Sequence, residues 1–236
     1  MQNALKSEEK DPEPHYTGHR QRLRERFLKS GPDALADYEL LELLLFQAIP
    51  RRDVKPLAKS LLQAFGSLPA LLNASIADLV KINGISENTA ISIKTVTALS
   101  HRMLKQDLTG KPILNSWSKL LDYCRSTMAH EIREHFRIIF LNKKNELLAD
   151  EIQQTGTVDH TPAYPREIMK RALEIGATAL ILVHNHPSGD PKPSQADIDM
   201  TREIVQAAKT FNITVHDHII IARKGHTSLK NEGLMT

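Results

Sequence analysis

The hydrophobic period of the chain changes once, across residues 105–116, and that change does most to limit what it can fold into. In KQDLTGKPILNS no period holds, and Gly110 and Pro112 interrupt any helix or strand. Before this stretch apolar residues recur at helical spacing. After it, short aliphatic runs suited to strands alternate with amphipathic helices. A boundary here gives two parts of roughly 100–130 residues, each long enough to bury its own core. The expected organisation is a tail over 1–14, a helical domain over 15–106, a linker over 107–113 and an α/β domain over 114–236.

The tail, MQNALKSEEKDPEP, is charged, carries prolines and has no period, so it reads as mobile. It contains no apolar signal segment, and the expected location is cytoplasmic. Next, GHRQRLRERFLKSG puts Leu23, Phe27 and Leu28 on one stripe, with arginines at 20, 22, 24 and 26 around the remainder. ADYELLELLLFQAIP offers Asp37 as N-cap, and RDVKPLAKSLLQAFG repeats the plan with Asp53 as cap and Gly66 as stop. In SIADLVKINGISENTAISIKTVTALSHRML, Ser75 and Asp78 make a capping box, a short helix runs to Ile82, Asn83-Gly84 turns the chain and Ser86 caps a longer helix. This stretch resembles a helix-hairpin-helix motif, which binds DNA backbones, although it has one glycine where that motif often has two. An αα-hairpin that only packs is the equal alternative.

Beyond the boundary, Ser116 can cap a helix through Met128. EHFRIIFLN, the turn NKKN and ELLADEIQQTGTV read as a β-hairpin. Pro165 starts a helix carrying Ile168, Met169, Ala172, Leu173 and Ile175. ATALILVHNH is a buried strand, SQADIDMTREIVQAAKTF a helix and ITVHDHIIIA a further strand. The pattern predicts helices on a central sheet. The single cysteine, Cys124, excludes an internal disulfide and a cysteine-rich zinc site, and reads as a half-buried helix residue. The one tryptophan, Trp117, reads as packing. No apolar run approaches the ~20 residues that a membrane span needs. The net charge of +3 permits contact with nucleic acid without requiring it.

Chemistry concentrates in HNHPSGDPKPSQAD, residues 184–197. Residues i and i+2 of a strand share a face, so His184 and His186 project together and Asn185 faces away. If Ser194 caps the next helix, Asp197 is its third residue, where the helix dipole favours a carboxylate. Two imidazole nitrogens and one carboxylate oxygen, with a fourth position left to water, are the ligand set of a catalytic zinc site. The intervening PSGDPKP stiffens a loop that must bring a strand end and a helix start around one ion. Singly, each part has a plain explanation: strand-end histidines satisfied by hydrogen bonds, and an ordinary capping box. Jointly they are far more specific.

H-x-H, seven residues, Ser, two residues and Asp match the JAMM signature of the MPN metallopeptidases. The wider block YPREIMKRALEIGATALILVHNHPSGDPKPSQADIDMTREI resembles the bacterial RadC family, as do DHIII near the end and GHRQRLRERF with DYELLELLL near the start. The resemblance implies an MPN/JAB1-like fold, a central mixed sheet with flanking helices, preceded by the all-helical, helix-hairpin-helix-like domain. It implies one zinc ion per chain on His184, His186 and Asp197. It also implies a glutamate from an early strand, matched here by Glu134 just before HFRIIFL, with Glu131 as competitor. Glu134 would then move protons as general base and acid, and Ser194 would donate a hydrogen bond to the developing oxyanion. Asp217-His218 fits a DH pair of the family, which implies a supporting role beside the zinc ligands, and the same-face spacing of His216 and His218 pairs those two rings. Thr155, Gly156 and Thr157 could flank the cleft.

Two functions follow as expectations. One is a zinc-dependent hydrolase, a metallopeptidase acting on a protein or peptide substrate at peptide or isopeptide bonds. The other, favoured by the family's historical DNA-repair label, is a DNA-binding protein of repair or recombination whose metal site hydrolyses phosphodiesters or is structural. A sheet edge in the second domain could pair with a copy of itself to form a homodimer.

Overall fold

Residues 18–155 and 164–235 are described by the computed structural model. The expected tail, together with Gly156 and Thr157, lies outside them. The chain divides into two units, Met1–Thr95 and Val96–Thr236. The division falls inside one long helix, Glu87–Gln106. Leu104 and Leu108 pack into the core of the second unit, and Lys105 Nζ lies 3.1 Å from the Asp150 carboxylate.

The first unit is helical: α1 (His19–Ser30), α2 (Asp37–Ala48), α3 (Lys55–Phe65), α4 (Leu68–Asn73), α5 (Ile76–Leu79) and the start of α6 (Glu87–Gln106). Its core gathers Leu41, Leu45, Leu57, Leu61, Leu71 and Leu79. Several local expectations shift. Ala36, not Asp37, is the N-cap of α2, and the Glu39 carboxylate accepts from the Ala36 N–H at 3.0 Å. Val54 caps α3, while Asp53 Oδ1 accepts from Lys55 N in a side-chain turn. Helix α5 stops at Leu79 rather than Ile82. Of the expected stripe on α1 only Leu23 is buried, and Leu28 is 83% exposed. Ser75 caps α5, its Oγ accepting from Asp78 N and donating to Asp78 Oδ2 in place of the reciprocal backbone bond of a capping box, and Ser86 Oγ accepts from Thr89 N. Gly84 has φ +96°, a value that suits glycine at this turn.

The second unit holds a five-stranded sheet in the order β2-β1-β3-β4-β5. Its strands are β1 (His135–Leu141), β2 (Leu147–Thr155), β3 (Ala179–Asn185), β4 (Thr214–Ala222) and β5 (Gly225–Ser228). Only β3 and β4 pair in parallel, so the sheet is mixed. Helix α7 (Trp117–Met128) packs Leu120, Cys124 and Met128 against Ile139, Ile181 and Ile219 on one face. Helices α8 (Pro165–Glu174) and α9 (Gln195–Thr210) pack Ile168, Ala172 and Ile204 against Ile138, Leu180 and Leu182 on the other. Every residue of β3 is buried, which explains why its sequence is continuously aliphatic rather than alternating. Leu173, on the outer side of α8, is 54% exposed.

One irregularity changes a face assignment. Val215 pairs with Leu180 and Asp217 with Ile181, so β4 carries an extra residue and its alternation resets. His216 and His218 therefore do not form a pair. His216 Nε2 bonds Asn145 Oδ1 at 2.6 Å in the β1–β2 turn, whereas His218 comes to lie beside His184.

Candidate metal centre

Strand β3 delivers His184 from its buried end, and His186 follows just beyond it, where the His186 N–H still bonds Ile221 O of β4. The chain then leaves the sheet through Pro187–Pro193. Arg223 donates to Pro187 O and Ser188 O at 3.0 and 3.3 Å, and Lys224 N donates to Gly189 O at 3.2 Å. Gly189 has φ +90°, and a Cβ there would sit 3.1 Å from Arg223 Nε, so both backbone and space favour glycine. The loop ends at Ser194, the N-cap of α9, whose Oγ accepts from Asp197 N. Asp197 Oδ2 accepts in return from Ser194 N and Ser194 Oγ–H, both at 2.7 Å. A capping box thus fixes the carboxylate of Asp197 against the two histidines.

His184 Nε2 and His186 Nε2 are 2.9 Å apart, His184 Nε2 and Asp197 Oδ1 3.2 Å, and His186 Nε2 and Asp197 Oδ2 3.4 Å. Ligands at ordinary zinc bond lengths in a tetrahedron stand about 3.3 Å from one another. The donor set therefore fits one such ion, and it is the cluster of metal-ligating type found among the described residues.

The electrostatics agree. Burial opposes ionisation of Asp197, but the close contacts of His184 and His186 and the hydrogen bonds from Ser194 outweigh it and hold the carboxyl well below the usual range. Burial also opposes protonation of His186. Its hydrogen bonds to Asp197 and to Asp190 O, with the charges of Asp197 and Glu134, nevertheless raise its pKa. His218 is fully buried, and desolvation pushes its pKa well down.

A cleft of about 490 Å³ opens on the cluster, lined by His186, Asp197, Ser194, Glu134, Glu131 and Arg223 among others. Glu134 is 9% exposed and immediately precedes β1. Glu131 is exposed, with Oε2 3.7 Å from His135 Nε2. Asn185 faces away from the cluster, accepting from His135 N at 2.8 Å and donating to Arg133 O at 3.0 Å. Sequence reading passed over Thr201 and Arg223. Thr201 lies one helical turn beyond Asp197 on α9, and that spacing was a usable signal. Arg223 had none.

A mixed sheet flanked by helices, with H-x-H leaving its central strand and an aspartate in the first turn of the next helix, defines an MPN-type domain with a JAMM cluster, here preceded by a helical unit. Residues 114–234 match the family described as the RadC-like JAB domain, and residues 16–91 that described as UPF0758 N-terminal. The chain belongs to the RadC family.

Proposed function

We propose that residues 114–236 form a zinc-dependent hydrolase, a metallopeptidase cleaving peptide or isopeptide amides, with residues 15–106 as an accessory domain. The carrying observation is the His184, His186 and Asp197 donor set, correctly spaced and open to a cleft shared with Glu134 and Ser194. Zinc held by these three residues supplies Lewis acidity at the scissile carbonyl and lowers the pKa of water toward about 7. Glu134 takes a proton from the attacking water and passes it to the leaving amine. Its burial suits that work better than the exposed position of Glu131, whose carboxylate faces His135. Ser194 is exposed at the cleft and donates to the oxyanion. For this its hydroxyl must turn away from Asp197 Oδ2.

Metal analysis of the purified protein tests the reading. About one zinc per chain is expected in the wild type and none in His184→Ala or Asp197→Ala; a wild type without metal affinity would end it. Glu134→Gln should keep zinc and lose amide hydrolysis, and an unchanged rate would remove the base assignment.

A second reading, DNA-backbone binding by the helical domain with a structural or phosphodiester-cleaving metal site, is favoured by one feature. The Asn83-Gly84 turn and the start of α6 share a concave surface with the exposed Arg51 and Arg52. Against it, Arg52 Nη2 already donates to Gly84 O at 3.1 Å. DNA affinity of the full chain that falls steeply with salt, and falls again in Arg51→Ala, would support this reading; a flat salt response would remove it. Self-pairing along β2, where Leu148 and Ile152 are exposed, is decided by sedimentation velocity.

A further inference from the structure

Two fully buried polar side chains beside the cluster, Thr201 on α9 and His218 on β4, have no part in the chemistry above. They form a continuous line of hydrogen bonds. His184 Nδ1 meets His218 Nε2 at 2.7 Å, His218 Nδ1 meets Thr201 Oγ1 at 2.5 Å, and Thr201 Oγ1 meets the Asp197 backbone O at 2.5 Å. The line starts on one candidate ligand and ends on the backbone of another.

Its protons can be placed from one end. A carbonyl oxygen only accepts, so Thr201 Oγ1–H donates to Asp197 O. Were that hydrogen turned to His218 instead, two oxygens would face each other at 2.5 Å with nothing between them. Having spent its hydrogen, the Thr201 oxygen accepts from His218 Nδ1–H. Fully buried, with His184 and Thr201 rather than a carboxylate at its ring nitrogens, His218 keeps one hydrogen, so its Nε2 is bare and accepts from His184 Nδ1–H. This leaves the lone pair of His184 Nε2 aimed at His186 and Asp197. His186 Nδ1 faces Asp190 O at 2.9 Å and donates to it, which turns its Nε2 toward Asp197 and His184. Packing holds the rings in this arrangement: Phe136 stacks on His184 at 6.2 Å and meets His218 edge-on at 5.5 Å.

We infer that Thr201 and His218 are positioning residues that lock His184 in the Nδ1–H tautomer, so that its Nε2 is a ready metal ligand, and that they tie this state to the helix carrying Asp197. The inference rests on the metal-centre reading. A histidine in the opposite tautomer would present a hydrogen, not a lone pair, to the ion. The extra residue in β4 makes the line possible, because without it His218 would face the α7 side of the sheet.

The tautomers are measured by two-bond ¹⁵N–¹H correlation on metal-free protein labelled at histidine. His184 should show a protonated Nδ1 and a bare Nε2. Thr201→Val, which keeps the shape and removes the hydroxyl, should mix the His184 tautomers. It should also lower zinc affinity by about 10–100-fold in competition with a chromophoric chelator. Thr201→Ser should restore both. A protonated Nε2 on His184 in the metal-free wild type overturns the inference whether or not any variant folds. So does a Thr201→Val protein with wild-type tautomers and wild-type zinc affinity. If the wild type binds no zinc, the metal-centre reading fails, and the His184 tautomer still decides the line of hydrogen bonds.

Discussion

Replacing Asn185 by leucine tests whether the strand end between the two histidines also holds the segment that carries Glu134. Asn185 is 1% exposed and lies between His184 and His186 in sequence, on the opposite face of β3. Its side chain accepts from His135 N at 2.8 Å and donates to Arg133 O at 3.0 Å, so two hydrogen bonds straddle Glu134. Leucine has the same branched shape, is somewhat bulkier, and can make neither. One donor and one acceptor lose their partners, at about 1–3 kcal/mol each when buried. His135 is half-buried and Arg133 exposed, so water recovers part, and a total near 2–3 kcal/mol is expected. For a unit of this size that lowers Tm by about 10 °C. Trp117, the one tryptophan, sits on α7 of the same unit, and its fluorescence in a urea titration reads the loss directly. The His135 amide should exchange faster with solvent; on the proposed function, zinc content should hold because His184, His186 and Asp197 remain, and amide hydrolysis should fall as Glu134 loses its anchor. Destabilisation below about 0.5 kcal/mol with unchanged exchange at His135 would refute the reasoning.

Other residues of the second unit give independent checks. Burial pushes the Cys124 thiol up to about 12, so the native protein should resist a thiol reagent at pH 8 and react only when unfolded in urea; rapid native labelling would show that α7 opens. Asp150 faces the buried Arg137 at 2.9 Å, Lys105 at 3.1 Å and the Tyr123 hydroxyl. Asp150→Asn should therefore cost about 3–5 kcal/mol by stranding the arginine charge, and a loss under 1 kcal/mol in the same titration would mean that water reaches it. Hydrogen bonds from Arg171 outweigh burial and hold the Glu151 carboxyl below its ordinary value. A depressed folded pKa lends stability that is complete above the unfolded value near 4.3 and is lost as pH falls through the folded one. Wild type and Glu151→Gln should thus differ at pH 7, by under about 1 kcal/mol because both partners are partly exposed, and converge in acid; a gap that widens on acidification would reverse the sign.

What was legible in the sequence was whatever follows from local periodicity. The continuous aliphatic run of β3 announced a strand buried on both faces. Strand parity aligned His184 with His186, and the spacing from Ser194 to Asp197 announced a capping box, so the three-ligand cluster could be placed before any coordinates. Features set by tertiary context were not legible. The extra residue in β4 breaks the parity that would pair His216 with His218, and nothing local marks it. Strand β5 is four residues long and α4 begins with Leu-Pro, too short for period to identify either. On α1 the apolar Phe27 and Leu28 are exposed while Arg20 is drawn inward, donating to Ile49 O and lying 4.4 Å over the Phe46 ring. An arginine that closes the end of a neighbouring helix reads, in sequence alone, like any other basic residue.

Ser194 is the residue for which structure most complicates a kinetic test. Its hydroxyl both accepts from Asp197 N and donates to Asp197 Oδ2, so removing it disturbs the cap of α9, the seat of a ligand and the proposed oxyanion contact together. Substitution to alanine at such a cap costs about 0.5–2 kcal/mol, whereas glycine costs only a few tenths, because its backbone is suited to the cap position. The two variants therefore separate the roles. If Ser194 acts on the oxyanion, Ser194→Ala and Ser194→Gly should both lose about 100-fold or more in kcat with zinc retained, although only the alanine variant is clearly destabilised. If the serine serves only the helix, hydrolysis and zinc affinity should follow stability, and the glycine variant should stay close to wild type. A glycine variant with near wild-type kcat would remove Ser194 from the chemistry and leave it as the residue that holds Asp197 in place.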